Sequence, residues 1–123
     1  MSWGLDNQKT LTIGCIAGAI YAGQMIFIPS KYLEMDGQRA TSDATSLCRG
    51  VGGGIAGLSL TAYLSKNGSK DAQDAIIKGM CCAMTVWGFN NLLRLMDRGS
   101  TQAKIDTLTT LVLGGIFAAA CKN

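Results

Sequence analysis

Between Thr10 and Ser30 the chain runs without a single charge, TLTIGCIAGAIYAGQMIFIPS. A helix needs about 20 apolar residues to cross a hydrocarbon core of roughly 30 Å, and this run meets that length. Pro29 ends it, because proline removes a backbone donor and disfavours helix in the residue before it. A first helix over about 11–28 is therefore predicted.

Three further uncharged stretches, Gly50–Ser65, Gly79–Leu93 and Thr107–Cys121, are each shorter than a full crossing. They reach membrane length when flanking charges snorkel to the surface: Arg49 for the second helix, Lys78 and Arg94 for the third, Lys122 for the fourth. Long basic side chains near helix ends do this readily. The pattern predicts helices over about 43–65, 72–96 and 103–121. Thr41, Ser42 and Asp43 supply N-cap side chains for the second, and Asn67-Gly68 reads as a left-handed cap after it. Ser69 can cap the third, with Asp71 and Asp74 suiting its positive end and Arg94 and Arg98 its negative end. Gly99-Ser100-Thr101 is so short a link that the third and fourth helices must be antiparallel neighbours.

The expected fold is an all-α, single-domain (1–123), integral membrane bundle of four transmembrane helices, antiparallel and up-down. A soluble four-helix bundle with the same caps competes with it. That fold needs a polar stripe on every helix, and charged residues make up 15% of the chain against roughly 25% in soluble domains. The first helix offers Thr12, Tyr21 and Gln24, and the fourth mainly threonines near its start, so lipid is the better solvent. An even number of spans puts both termini on one side. Lys and Arg divide five against six between the two sides, so the positive-inside rule assigns no orientation. MSWGLDNQKT lacks the basic start and cleavage site of a signal peptide. Either the numbering follows processing or the first helix is an uncleaved membrane signal.

Composition also removes function classes. There is no His, so the commonest general base and metal ligand is missing. The eight acidic residues are read as lying in loops or at helix ends, which excludes a midplane proton relay. Asp74 pairs with Lys78 one turn on. Five cysteines without a C-x-x-C spacing read as small apolar filler, not as a metal site or disulfide framework. A net charge of +3 spread along the chain leaves no nucleic-acid surface. Gly52-Gly53-Gly54-Ile55-Ala56-Gly57 formally matches G-x-G-x-x-G, but no strand precedes it and no Rossmann domain fits in this length.

Those glycines have a mechanical reading. Gly50, Gly54 and Gly57 fall on one stripe of the second helix, continued by Thr61. Gly14, Gly18 and Ala22 form another on the first, and Gly115 with Ala119 a shorter one on the fourth. Small residues four apart let helix backbones approach in lipid, within the chain or against a partner. The internal contact is the simpler expectation for the first two helices.

One polar group gathers at one membrane level: Gln24, Arg49, Asn90, Asn91 and Arg94. Trp87, Asn90 and Arg94 lie within about 60° on a helical wheel. Two readings stay open. The group forms a pocket for an anionic head group or a polar cofactor such as a quinone or chlorophyll. Alternatively, both arginines snorkel to lipid phosphates while the amides tie helices together, the simpler view. Trp3, Tyr32 and Tyr63 fit an interfacial aromatic belt.

Phe27-Ile28-Pro29 closing the first helix, a short amphipathic loop through Tyr32 and Leu33, and Arg49-Gly50 opening a glycine-rich helix together resemble small DoxX-like four-helix membrane proteins. The resemblance implies the architecture and carries over no catalytic residues. The functional expectation is a non-catalytic accessory or assembly subunit of a large respiratory or photosynthetic complex, in the mitochondrial inner or thylakoid membrane. It would contact other subunits and structural lipids. The alternative is a small-molecule carrier or quinone- or pigment-binding protein using Gln24, Arg49, Asn90 and Arg94.

Overall fold

A computed structural model describes residues 6–121, and these form five helices with no strand among them. They are α1 (Asn7–Phe27), α2 (Pro29–Met35), α3 (Ser42–Ser65), α4 (Lys70–Arg98) and α5 (Thr101–Cys121). The four long helices match the predicted spans to within a few residues. Two of them, α1 and α5, are long and apolar enough to cross a membrane.

Local chemistry explains the boundaries. The Asp6 carboxylate accepts from Lys9 N–H at 2.8 Å and starts α1. Thr41 does the same for α3 and Ser69 for α4, accepting from Ala44 and Ala72. Pro29 stops α1, as expected, but it also occupies the first turn of a new helix, where its missing N–H costs nothing. The segment expected as a loop is thus α2, about two turns held on its far side by Gly37. With φ at +75°, Gly37 donates to Glu34 O, and Gln38 N–H reaches back to Leu33 O at 2.9 Å. This is the paired Schellman closure.

Two other expectations are corrected. Gly68 is not left-handed, since among the described glycines only Gly37 and Gly99 have positive φ. After α3 the chain stays right-handed at Lys66, whose carbonyl accepts from the Gln73 side chain at 2.7 Å. Asp74 does not pair with Lys78; Lys70 reaches it at 2.9 Å and Asn7 at 2.7 Å.

The long helices pack as two antiparallel pairs, α1 with α3 and α4 with α5. The pairing of α4 with α5 follows from Gly99, left-handed at φ +59°, and from Ser100, which accepts from Ala103 N–H and restarts the chain. The pairs meet at the end near the termini, around Leu11, Ala62, Ile77, Met80 and the fully buried Phe117. A smaller apolar cluster of Met25, Leu33 and Cys48 joins α1, α2 and α3 at the other end.

The glycines divide cleanly. Gly14 lies against Phe117, where an added Cβ falls 2.5 Å from the ring, and Gly18 lies against Ser59. On α3 the residue in contact with α1 is Gly52, where a Cβ falls 2.9 Å from Met25. Gly50, Gly54 and Gly57 have nothing within 4 Å of such a Cβ. At 100° per residue, they lie about half a turn from the buried face of Cys48, Gly52, Ser59 and Ala62. The stripe expected on α3 points out of the bundle.

Gly52→Ala should therefore overpack the α1–α3 contact and cost about 1–3 kcal/mol. Gly54→Ala should be neutral, or gain up to about 1 kcal/mol of helix propensity. Thermal unfolding of the purified chain in detergent separates them, and equal destabilisation by both would contradict this facing of α3.

Candidate functional site: a buried ion network beside an apolar cleft

At the end of the bundle away from the termini, α2, α4 and α5 converge on one guanidinium. Arg94 donates to Asp36 at 2.6 Å, to Asp106 at 3.1 Å and to the Asn91 carbonyl oxygen at 2.8 Å. The Asp36 side chain is 0% exposed, that of Asp106 4% and that of Arg94 17%. A charge that far from water persists only when paired and hydrogen-bonded. Both carboxylates are close to saturation. Asp36 also accepts from Arg98 at 3.0 Å, from Ser100 at 2.9 Å and from Gln38. Asp106 also accepts from Tyr32 and Gln102, each at 2.7 Å.

Each member is positioned by its local structure. The Gly37 closure fixes Asp36 at the end of α2. Ser100 serves twice, capping α5 while donating to Asp36. Gln102 and Asp106 are one turn apart on α5, and Asn91, Arg94 and Arg98 share one face of α4. Formal charges cancel, two carboxylates against two guanidinia. Among the described residues, no buried side-chain nitrogen or oxygen lacks a partner. Burial alone would push the Asp36 carboxyl up. Hydrogen bonds from Arg94, Gln38 and Ser100, then the Arg94 charge, outweigh it, and the group titrates below its ordinary 3.8. Burial first, then the bond to Asp106, pushes the Tyr32 hydroxyl up, so it stays a neutral donor.

Beside this network a cleft of about 460 Å³ runs between the two helix pairs. Its depth is apolar, lined by Gly14, Gly18, Ile55, Met80, Ala83 and Leu113. Its far end is polar, with Tyr21, Asn90, Asn91, Arg94 and Asp106 in the wall. Leu47 and Val51 on α3, both exposed, stand at its edge.

Of the five polar residues gathered in the sequence, Asn90, Asn91 and Arg94 share this cleft, and Gln24 and Arg49 lie elsewhere. Gln24 is exposed, in a shallow depression between α1, α2 and α5. Arg49 is exposed and donates from Nε to Ile26 O at 3.3 Å, covering a carbonyl left open where Pro29 breaks α1. Arg94 is not a snorkelling arginine. It turns inward to two carboxylates, because α2 and α5 each bring one within reach. Asp106, read as a helix-end residue, is buried in the second turn of α5.

Asp36, Asp106, Tyr21, Tyr32 and Gln102 are the members the sequence reading missed. One signal was available: Gln102, Asp106 and Thr110 recur every four residues, a stripe along one face of the polar first half of α5. Comparison with protein-family models, with curated proteins and with solved structures finds no match for this chain.

Arg94→Leu strands two buried carboxylates and should cost roughly 3 kcal/mol, the lower end for a broken buried pair, given the partial exposure of Arg94. The pH dependence has a definite sign. Because the folded value of Asp36 lies below the unfolded one, its contribution is complete above pH 3.8 and is lost as pH falls through the lower folded value. Thermal midpoints on acidification below pH 3.8 should therefore fall more steeply for the wild type than for Asp36→Asn. Parallel acid slopes would remove Asp36 from the account.

Proposed function

We propose that this chain crosses a membrane four times and serves, without catalysing a reaction, as an accessory or assembly subunit of a larger respiratory or photosynthetic membrane complex. Its contact with neighbouring subunits is the outer face of α3, and lipids cover the rest of its apolar surface.

Several observations support the membrane placement. Only 28% of the apolar window in each of α1 and α5 is buried, whereas the core helix of a soluble domain is mostly buried. Large apolar side chains stand outward on all four long helices, among them Ile20, Leu64, Phe89 and Leu111. α3 and α4 exceed the roughly 20 residues a crossing needs. Helical threonines bond back to the carbonyl four residues earlier, as Thr61, Thr85, Thr107 and Thr109 do. Their hydroxyls therefore need no water.

The observation that carries the subunit reading is the direction of the Gly50, Gly54, Gly57 and Thr61 stripe. Inside the bundle the contact with α1 uses Gly52 and Ser59, so the glycines of the outer stripe pack against nothing among the described residues. In hydrocarbon, apolar surface gives helices no reason to associate, and close backbone approach at small residues is a main source of affinity. A second helix laid along this stripe gains that packing.

Two measurements test the proposal. Tags at the two ends of the chain should be reached by protease from the same side of sealed vesicles, as an even number of spans requires. In mild detergent the native chain should migrate with a larger assembly, and Gly54→Leu should release it as a small particle with unchanged helicity. A wild-type chain that migrates alone, or a Gly54→Leu chain that stays with the assembly, would overturn the docking face.

A further inference from the structure

We propose that the cleft between the helix pairs holds one uncharged, single-tailed lipid whose head presents a carbonyl oxygen, the chemical class to which tailed quinones belong. The proposal rests on the membrane placement for the source of the ligand and is independent of the docking face on α3.

Cavity shape selects the tail. Met80 and Arg94 both line the cleft and lie about 21 Å apart along α4 at 1.5 Å per residue. A cleft of that length, apolar in its depth and polar at one end, takes a hydrocarbon tail lying along α4 with its head beside Arg94. The volume itself falls within the roughly 300–1,000 Å³ of small-ligand sites.

Charge selects the head. An anionic head group would need a guanidinium with charge to spare, and Arg94 already answers two carboxylates. A cationic one would need a free carboxylate, and Asp36 accepts four hydrogen bonds. What the polar end has left is donors in excess of acceptors, the Asn90 carbonyl oxygen being the one free acceptor of that side chain. A guanidinium carries five N–H groups. The Nε–H of Arg94 and one N–H on Nη2 are in no hydrogen bond among the described residues, nor is the Asn90 amide or the Trp87 indole N–H. Spare donors with no spare charge suit a neutral acceptor. Entry is lateral, past Leu47 and Val51, from the surrounding acyl chains.

The full-length chain carrying Trp3→Phe, reconstituted in phosphatidylcholine nanodiscs, tests this with Trp87 as the one indole reporter. Titration with a decyl-tailed benzoquinone should quench Trp87 saturably. Ala83→Phe, which fills the cleft, should weaken the midpoint at least tenfold. Should Ala83→Phe fail to fold, Asn90→Leu on the exposed rim keeps the test alive, with an expected weakening of about fivefold. Decanoate and decane serve as anionic and headless probes and should compete at least tenfold less well. Non-saturable quenching, an unchanged midpoint in whichever variant folds, or equal competition by decanoate or decane would each overturn the proposal. A chain that cannot be reconstituted would instead strike at the membrane placement.

Discussion

Everything at the loop end of this bundle is organised around the need to keep one guanidinium and two carboxylates in contact. Arg94 arrives from α4, Asp106 from α5 and Asp36 from the turn after α2. None of the three could be buried in that position without the other two. A dry carboxylate costs several kcal/mol unless it is answered, so displacing any one of these elements exposes the others to that penalty. The network thus acts as a geometric lock tying α2, whose apolar contacts are mainly with α1 and α3, to the α4–α5 pair.

The lock explains why a cleft survives between the helix pairs. Near the termini, Phe117 and its neighbours press α1, α3, α4 and α5 together. At the opposite end the polar network holds α2, α4 and α5 at a spacing set by hydrogen-bond lengths, not by side-chain volume. A bundle pinned by apolar packing at one end and by a fixed polar frame at the other cannot close uniformly, and the gap runs from one fastening to the other, with Met80 and Arg94 both in its wall.

Much of the fold could be read directly. The uncharged run after Thr10 and the caps at Thr41, Ser69 and Gly99-Ser100 are local signals, and the helices lie where those signals put them. What failed was relational. α2 spans too few residues for a period to show, and Pro29 reads equally well as a stop or as a first turn. Lys70 and Lys78 are both one turn from Asp74, and nothing local chooses between them. Asp106 looks like a helix-end acid until α4 places Arg94 opposite it, a pairing that only the folded chain reveals. The glycines of α3 were ambiguous for a sharper reason. Small residues occur on both of its faces, Gly52, Ser59 and Ala62 on one and Gly50, Gly54 and Gly57 on the other. Composition could not say which face meets α1.

That two-faced character bears on the solvent. Between Gly50 and Gly57, five of eight residues are glycine, and each costs a helix about 1 kcal/mol relative to alanine. In water such a segment has a ready alternative, since an unwound backbone hydrogen-bonds to solvent. In hydrocarbon it has none, because every open N–H and C=O costs several kcal/mol. A continuous α3 through this stretch is therefore much easier to account for in a bilayer than in water. The same glycines that weaken the helix in solution leave it thin on both sides there, narrow enough to lie against α1 on one face and to admit a second helix on the other.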